Sequence, residues 1–209
     1  MESLRSLAAS ALICLTITGC ANLSPKPDSS RFFTLTPLPQ SDEARTKNVA
    51  NPNRPSLGIG PIRFPGYLDR EQLVTRISQN RFALSENDRW AEPLEENFSR
   101  VLLQNLSALL RTNKMIRYPW QNNQRPGYQV EIELLRFEPN AAQEVELSAR
   151  WAVIDTGNKQ PLSVRESRLV RQVKSRSTEA SVAALSEALG DLSREIADAI
   201  RAINVQGKP

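Results

Sequence analysis

The sequence predicts an α+β domain in which an antiparallel meander sheet has two amphipathic helices packed on one face. Two long segments place apolar residues at helical spacing, three successive segments alternate apolar and polar residues, and turn-forming stretches separate them. Each element has a single apolar side, so a two-layer arrangement buries all of them. With 209 residues, 40% hydrophobic and 24% charged, the chain is long enough for one such domain with tails.

The first 19 residues predict an export signal. Arg5 provides a weak basic start, and the stretch from Leu7 to Ile17 is apolar apart from Ser10 and Thr16. From Leu7 to Gly19 the segment has about 13 residues, whereas crossing a bilayer core takes about 20. Signal peptides have hydrophobic regions of this length, so residues 1–19 are interpreted as a lipoprotein signal peptide.

The signal ends in Ile17-Thr18-Gly19-Cys20, which resembles the lipobox of bacterial lipoproteins. The Cys20 thiol can accept a diacylglyceryl group, and the small Gly19 lets a peptidase reach the bond before it. An ordinary secretory signal or an uncleaved anchor are the alternatives, and the length and cleavage context favour the lipoprotein. Ala21, rather than an aspartate, follows the cysteine, which indicates the outer membrane under the enterobacterial sorting rule.

The predicted domain covers residues 31–204, between the lipidated cysteine with a flexible tether at 20–30 and a disordered tail at 205–209. The tether is polar and carries two prolines, which favours an unfolded connection. Pro61 cannot donate a backbone hydrogen bond, so its strand is expected at a sheet edge or at a bulge. The β-prone runs before the first helix predict strands at Arg31–Thr36, Ser56–Phe64, Leu73–Ile77 and Phe82–Leu84.

Two amphipathic helices frame the meander. Pro93 marks the start of the first helix, which extends to Arg111, because its fixed φ suits the first turn. The second helix covers Thr178–Ile203, and Gly190 in its middle predicts close approach by another backbone. Alternation between the helices predicts three antiparallel strands at Tyr128–Leu134, Val145–Val153 and Leu162–Val170.

The composition excludes several classes of function. There is no histidine, which excludes Ser-His-Asp and Cys-His catalysis and every histidine-ligated metal site. The only cysteines are Cys14 and Cys20, so the predicted domain holds no disulfide, thiolate metal cluster or thiol nucleophile. The net charge of +4 comes from basic residues scattered singly, which does not resemble a nucleic-acid footprint. We therefore expect no metal, no cofactor, no nucleic acid and no catalytic residue.

Short blocks along the predicted mature chain form a pattern found in one family. These blocks are Phe33-Thr34-Leu35, Tyr67-Leu68-Asp69-Arg70, Val74-Thr75-Arg76, Asn80, Arg89-Trp90-Ala91-Glu92-Pro93-Leu94, Tyr118-Pro119-Trp120, Phe137 and Ala149-Arg150-Trp151. With the lipobox before them, they resemble the PqiC family, the ABC-type transport auxiliary lipoproteins. The resemblance spans nearly the whole chain after Cys20.

This resemblance implies a non-catalytic lipoprotein of the Gram-negative outer membrane that faces the periplasm. It implies two partners, an MCE-domain (mammalian cell entry) protein and an inner-membrane permease or integral subunit, which carry lipids between membranes and support envelope integrity. It also implies a homo-oligomer around the end of the MCE tunnel. Another envelope scaffold or assembly lipoprotein is the alternative, and a lipid-anchored hydrolase is disfavoured because the chain lacks a G-x-S-x-G elbow and histidine.

The candidate partner-binding residues are Tyr67, Asp69, Arg70, Arg89 and Trp90. Tryptophan and arginine are enriched in interface hot spots, which favours a contact before the first helix. The alternatives are an Asp–Arg pair that merely holds the loop, and a tryptophan that packs over the helix start.

Two charged clusters have structural explanations as well as functional ones. The arginine-rich run near Arg165, Arg168 and Arg171 could contact lipid headgroups or an acidic partner, or could form a solvated strand edge. The carboxylates around Glu92 could suggest acid–base chemistry, but a helix N-terminus accounts for them better.

Overall fold

The computed structural model describes residues 29–39, 56–121 and 124–206. The predicted signal peptide, Cys20 and most of the predicted tether lie outside these residues. The elements are β1 (Arg31–Phe33), β2 (Leu57–Arg63), a 3-10 turn (Gly66–Leu68), β3 (Gln72–Ser78), β4 (Arg81–Trp90), α1 (Leu94–Leu110), β5 (Met115–Arg117), β6 (Tyr128–Pro139), β7 (Glu144–Asp155), β8 (Gln160–Gln172) and α2 (Thr178–Gln206).

The main sheet has five strands in the order β5-β2-β6-β7-β8. Strands β6, β7 and β8 form the predicted antiparallel meander. Strand β2, however, runs parallel to both β5 and β6, so the sheet is mixed rather than purely antiparallel. Helix α1 lies between β2 and β5 in the chain and makes the crossover that parallel neighbours require. Alternation along a strand fixes its faces but not its direction, so the sequence pattern could not predict this pairing.

Strand β2 lies inside the sheet, where a proline is unusual. The ladder between β2 and β6 shifts register between Ile59 and Ile62, and Gly60 in this bulge has a φ of 113°. The bulge takes Pro61 out of the regular ladder, so its missing N–H breaks no pairing. Of the two positions expected for this strand, the bulge is confirmed and the edge is not.

Both helices pack on one face of the main sheet, as predicted. The residues of β7 that face the helices are all buried. They alternate with residues that face outward, such as the exposed Arg150. Helix α2 contacts β7 and β8, while α1 contacts β2 and β5, and the two helices contact each other. The Trp151 indole N–H donates to Ser167 Oγ at 2.8 Å, and Ser167 donates to Glu195 on α2.

A second sheet has three strands in the order β1-β4-β3. Strand β4 has ten residues, whereas the sequence predicted only Phe82–Leu84, because the polar run around Asn87 hides the alternation. Strand β1 ends at Phe33 instead of Thr36, because the chain then leaves the sheet and runs between the helices. The helical boundaries agree better, since α1 ends at Leu110 with Arg111 as its left-handed C-cap.

The segment 34–39, which we call the strap, is held by side chains of both helices. The Leu35 N–H donates to Asn97 Oδ1 at 2.7 Å, and the Leu38 N–H donates to Asn105 Oδ1 at 2.8 Å. Ser186 on α2 accepts from the backbone of the strap in the same way. These side-chain oxygens supply the hydrogen bonds that the strap loses by leaving the sheet.

Gly190 on α2 makes room for the strap. A Cβ at this position would lie 2.7 Å from Leu38 Cδ2. The close approach expected here therefore exists, but a side chain makes it rather than a backbone.

Candidate partner-binding groove

An open groove of about 870 Å³ lies where β4 runs into α1. Four of the five predicted partner-binding residues line it, namely Asp69, Arg70, Arg89 and Trp90. The structure thus brings together residues from the loop after β2 and from the end of β4. The lining also includes Phe32, Phe64, Leu68, Leu94, Glu95 and Glu96.

Trp90 forms part of the wall but exposes only 7% of its surface. Its backbone N–H donates to the Glu71 carbonyl at 2.7 Å, and it pairs with Phe33 of β1. This burial matches the alternative in which the tryptophan packs over the helix start. An exposed contact at this site would have to come from its neighbours.

Tyr67 points away from the groove into a cluster between the two sheets. Its hydroxyl donates to Glu138 Oε2 at 2.7 Å, and its ring stacks on Phe82 with centroids 4.4 Å apart. Burial, and then the hydrogen bond to the Glu138 carboxylate, raise the pKa of Tyr67. Arg76 completes the cluster through a 2.6 Å ion pair with Glu138, which is 2% exposed. Tyr67 therefore fixes the loop from behind.

The backbone, rather than an Asp–Arg pair, holds the loop of Asp69 and Arg70. Arg70 Nε donates to the Tyr67 carbonyl at 2.8 Å, and the Asp69 N–H donates to the Gly66 carbonyl at 3.3 Å. Within residues 29–39, 56–121 and 124–206 no ion pair joins Asp69 to Arg70. Both residues are exposed at the groove.

Arg89 is half-buried beside the N-terminal strand. Its guanidinium forms a 3.3 Å ion pair with Glu71, and its Nε donates to Ser30 Oγ at 3.4 Å. It lies beside Phe32 in the parallel ladder of β1 and β4. Arg89 therefore connects the loop that contains Glu71 to the N-terminal strand β1.

The carboxylates at the start of α1 fit the helix N-terminus interpretation. Glu92 accepts hydrogen bonds from Arg100 and Asn97, which hold its pKa below the ordinary value. Glu95 and Glu96 are exposed in the first turn, where negative charge is favourable. These groups give the groove an acidic side next to the basic Arg70.

Most side chains of the arginine-rich run contact other residues of this chain. Arg168 pairs with Glu146 at 2.9 Å, and Arg171 pairs with Asp191 on α2. The Arg165 guanidinium lies over the Trp151 ring, 5.8 Å from its centroid. These contacts agree with a solvated strand edge and offer little free charge to a partner.

Asp88 fixes β1, the strand that carries Phe32. The carboxylate accepts from Arg31 Nε at 2.8 Å and from Thr178 Oγ1 at 2.6 Å. Burial raises the pKa of Asp88, but hydrogen bonds from Thr178, Arg31 and Ser85 outweigh burial and hold this pKa below its ordinary value.

This lowered pKa predicts an acid-dependent loss of stability. A carboxylate with a lowered folded-state pKa adds stability above its unfolded-state pKa, about 3.9, and this contribution is lost as the pH falls through the folded value. We expect Asp88→Asn to lower the free energy of unfolding by about 1–2 kcal/mol at pH 7. Urea denaturation of both proteins between pH 7 and pH 2 should show the difference shrinking below about pH 5. A difference that stays constant with pH would contradict the assignment.

The family described as the ABC-type transport auxiliary lipoprotein component matches residues 33–197. The chain belongs to this family. No curated protein is detectably similar to it in sequence.

Two crystal structures share the fold of this auxiliary lipoprotein. A protein of Xanthomonas campestris from the DUF330 family aligns with a TM-score of 0.64 at 16% identity, covering 85% of this chain and 100% of its own. An uncharacterized protein aligns with a TM-score of 0.63 at 20% identity, covering 82% of this chain and 98% of its own. At these identities the likeness shows the fold alone.

The auxiliary lipoprotein has further features that sequence reasoning missed. Phe32 and Phe64 of the groove, and Glu138 behind it, were not singled out as functional residues, and Arg76 was noted only as part of a family block. Glu138 lies four residues beyond the predicted end of its strand at Leu134, whereas the observed strand continues to Pro139, so the strand prediction gave no signal for its burial. None of the helices in the described ranges has the length and apolarity needed to cross a bilayer, and these ranges hold no group of acidic, cysteine or histidine residues suited to a metal ion.

Proposed function

We propose that this auxiliary lipoprotein is a non-catalytic outer-membrane subunit of an MCE-type intermembrane lipid transport system. The observation that carries the proposal is the family match over residues 33–197, which names an auxiliary component of ABC-type transport. The lipobox ending in Cys20 supports attachment to the outer membrane from the periplasmic side. The proposal includes an MCE-domain protein and an inner-membrane permease as partners, and several copies of this chain around the tunnel end.

We further propose that the groove binds the partner protein. Its floor is apolar, through Leu68 and Leu94, and its rim presents exposed charges of both signs. Asp69, Arg70 and Arg89 would form the polar contacts, while Tyr67 and Trp90 hold the loop and the strand behind them. A desolvated apolar centre with a polar rim is the usual composition of a protein interface.

The first test is co-purification from detergent-solubilised envelopes. We expect the lipidated chain to recover an MCE-domain protein and its permease. Recovery of outer-membrane assembly components alone would favour the scaffold alternative. The unlipidated Cys20→Ala protein should fold normally but fail to restore envelope integrity to a deletion strain.

The groove itself can be tested by charge reversal. We expect Arg70→Glu to reduce recovery of the MCE protein at least about ten-fold, since replacing a rim cation adds repulsion and loses the contact. The matched control is Arg81→Glu, an exposed arginine outside the groove, which should leave recovery unchanged. Equal losses in the two variants would mean that the groove is not the binding site. Thermal unfolding of both variants checks that the fold is intact.

A further inference from the structure

We infer that two copies of this chain associate through strand β8, the edge strand of the main sheet, in one antiparallel register centred on Ser167. This inference rests on the lipid anchor and the several copies included in the proposed function, and it adds the surface at which two copies meet. No residue of β8 is among those that line the groove, so the contact leaves the groove to the partner protein.

Strand β8 has a long backbone edge that no other strand covers in the described part of the chain. It is the last strand in the order β5-β2-β6-β7-β8 and has 13 residues. Just beyond it, and in the same register as the β7–β8 ladder, the Val173 N–H donates to the Gln143 carbonyl at 2.8 Å. Alternate residues of a strand bond to the same neighbour, so the odd positions of β8 bond to β7. The even positions therefore direct their N–H and C=O groups to the free edge, where a further strand can pair.

The side chains at these even positions are exposed and include two valines. Ser167 is buried and hydrogen-bonds to α2, so odd positions face the helices and even positions face outward. Val164 exposes 70% of its surface, more than any other large hydrophobic residue in the described ranges, and Val170 exposes 43%. Between them lie the exposed Glu166 and Arg168. Charges alone protect an edge strand from pairing, whereas exposed valines favour it.

The order of these four side chains is self-complementary in one antiparallel register. With Ser167 opposite its own copy, Glu166 of each chain lies opposite Arg168 of the other. Val164 then lies opposite Val170 of the other chain. Moving the axis by one residue places either Glu166 or Arg168 opposite itself and separates the valines. Since opposite charges and apolar pairs stabilise neighbouring strands and like charges destabilise them, the side chains select the register centred on Ser167.

The ion pairs within each copy are compatible with this contact. Glu166 accepts from Arg150 Nε at 3.1 Å, and Arg168 Nε donates to Glu146 at 2.9 Å. These side chains stay on the outward face, so pairing adds a contact between Glu166 and Arg168 without breaking either ion pair. The contact needs no free charge, because charges of alternating sign from four neighbouring strands would form one row.

The helices leave room for the second copy. Helix α2 contacts β6, β7 and β8, so it is centred on β7. With strands about 4.8 Å apart, α2 lies about 7 Å from the two-fold axis and about 14 Å from α2 of the second copy. Packed helices are about 8–10 Å apart, so the two helices do not collide.

Attachment to one leaflet favours the pair. Equivalent points in the two copies lie at the same height along a two-fold axis, so both Cys20 lipids can enter one leaflet when the axis follows the membrane normal. Anchoring raises the effective concentration of the copies, so a contact smaller than the standard interface of about 1,600 Å² can persist. The contact closes at two copies, and the several copies at the tunnel end would be such pairs.

Disulfide cross-linking in isolated membranes tests the register, using the full chain lipidated in cells so that lipid blocks the Cys20 sulfur. We expect Val164→Cys combined with Val170→Cys to form a covalent dimer on oxidation, because facing Cα atoms are about 5.5 Å apart, which suits a disulfide. Each single variant should stay monomeric on a non-reducing gel, since the two copies of one position are roughly 20 Å apart. The matched control is Val164→Cys with Arg168→Cys, which face each other only if the axis moves to Glu166, and it should not cross-link.

Charge exchange tests the same contact without cysteines. Glu166→Arg or Arg168→Glu alone places like charges opposite each other and should weaken self-association at least about ten-fold, measured by sedimentation of the lipidated protein in detergent. The two substitutions together restore opposite charges and should recover association. The double variant loses the contacts to both Arg150 and Glu146, so a role confined to the fold would give it the larger loss.

Three results would overturn the inference: no cross-linking of the valine pair, equal cross-linking of the control, or no recovery on charge exchange. The first of these is the result expected for an edge that is only solvated. Recovery of the MCE protein from the same membranes separates this inference from the proposed function. Recovery without cross-linking refutes the pair alone, whereas cross-linking without recovery refutes the transport role and leaves the pair in place.

Discussion

Replacing Glu138 with glutamine is expected to lower the free energy of unfolding by about 3 kcal/mol. The carboxylate is 2% exposed and accepts from Arg76 Nε at 2.6 Å, from the Tyr67 hydroxyl at 2.7 Å and from the Phe137 N–H at 2.8 Å. The amide is neutral, so it leaves the 17% exposed Arg76 guanidinium without its counter-charge. Removing one partner of a buried pair costs more than the pair itself contributes.

The measurement is urea denaturation with Glu133→Gln as the matched control. Glu133 lies on the same strand but is exposed, and its nearest cation, on Arg150, is 4.0 Å away. An exposed pair of this kind contributes at most about 1 kcal/mol. If the two variants lost equal stability, burial would not be the reason for the effect. Tyr67→Phe keeps the ion pair and removes only the hydroxyl, which donates to Glu138 Oε2 at 2.7 Å and lies 3.4 Å from the Leu135 carbonyl, so it should cost about 1 kcal/mol.

A double variant separates the contribution of the charges to stability from the contribution of packing. Replacing both members, as Arg76→Met with Glu138→Leu, should recover most of the lost stability, because apolar side chains of similar size often replace a buried ion pair without cost. The cluster joins β3 and the 3-10 turn to β6. Loss of Glu138 should therefore also release the loop that carries Asp69 and Arg70, which limited proteolysis of this loop would detect.

The sequence predicted the elements with one clear apolar period and missed those without it. Helix α1, the meander β6-β7-β8 and helix α2 each combine a periodic apolar face with polar flanks, and the structure confirms all of them. Strand β4 fails this criterion because only a few of its ten residues are apolar. Strand β5 has three residues, too few for any period to show.

The candidate site was only partly predictable. The loop and β4 residues were found because they are aromatic or charged in a family pattern, yet the pattern did not show which of them are exposed. Burial of Trp90 and inward placement of Tyr67 follow from partners far away in the chain, Phe33 and Glu138. Long-range contacts of this kind cannot be inferred from the spacing of a single sequence.

The strap was missed for a different reason. Asn97 and Asn105 are eight residues apart, so they lie on one face of α1, within its apolar stripe. Ser186 and Ser193 interrupt the stripe of α2 in the same manner and are also buried. Polar residues inside an apolar stripe were the available signal that a backbone segment passes between the helices, since buried amides need partners.

Replacing Asn105 with alanine is therefore expected to destabilise the fold by about 2–3 kcal/mol. Asn105 is fully buried, accepts from the Leu38 N–H at 2.8 Å and donates to Ser193 Oγ at 3.1 Å. Alanine leaves the Leu38 N–H without its acceptor and opens a cavity between α1, α2 and the strap. Gln104→Ala, one residue away and only half-buried, is the control and should change stability by less than about 0.5 kcal/mol.

Two measurements test this prediction. Urea denaturation gives the stability difference, and hydrogen exchange of the Leu38 amide tests its local origin. In Asn105→Ala this amide should exchange much faster than amides in the centre of β7, because the strap can detach before the sheet opens. Uniformly faster exchange in both places would show that the variant weakens the whole domain instead.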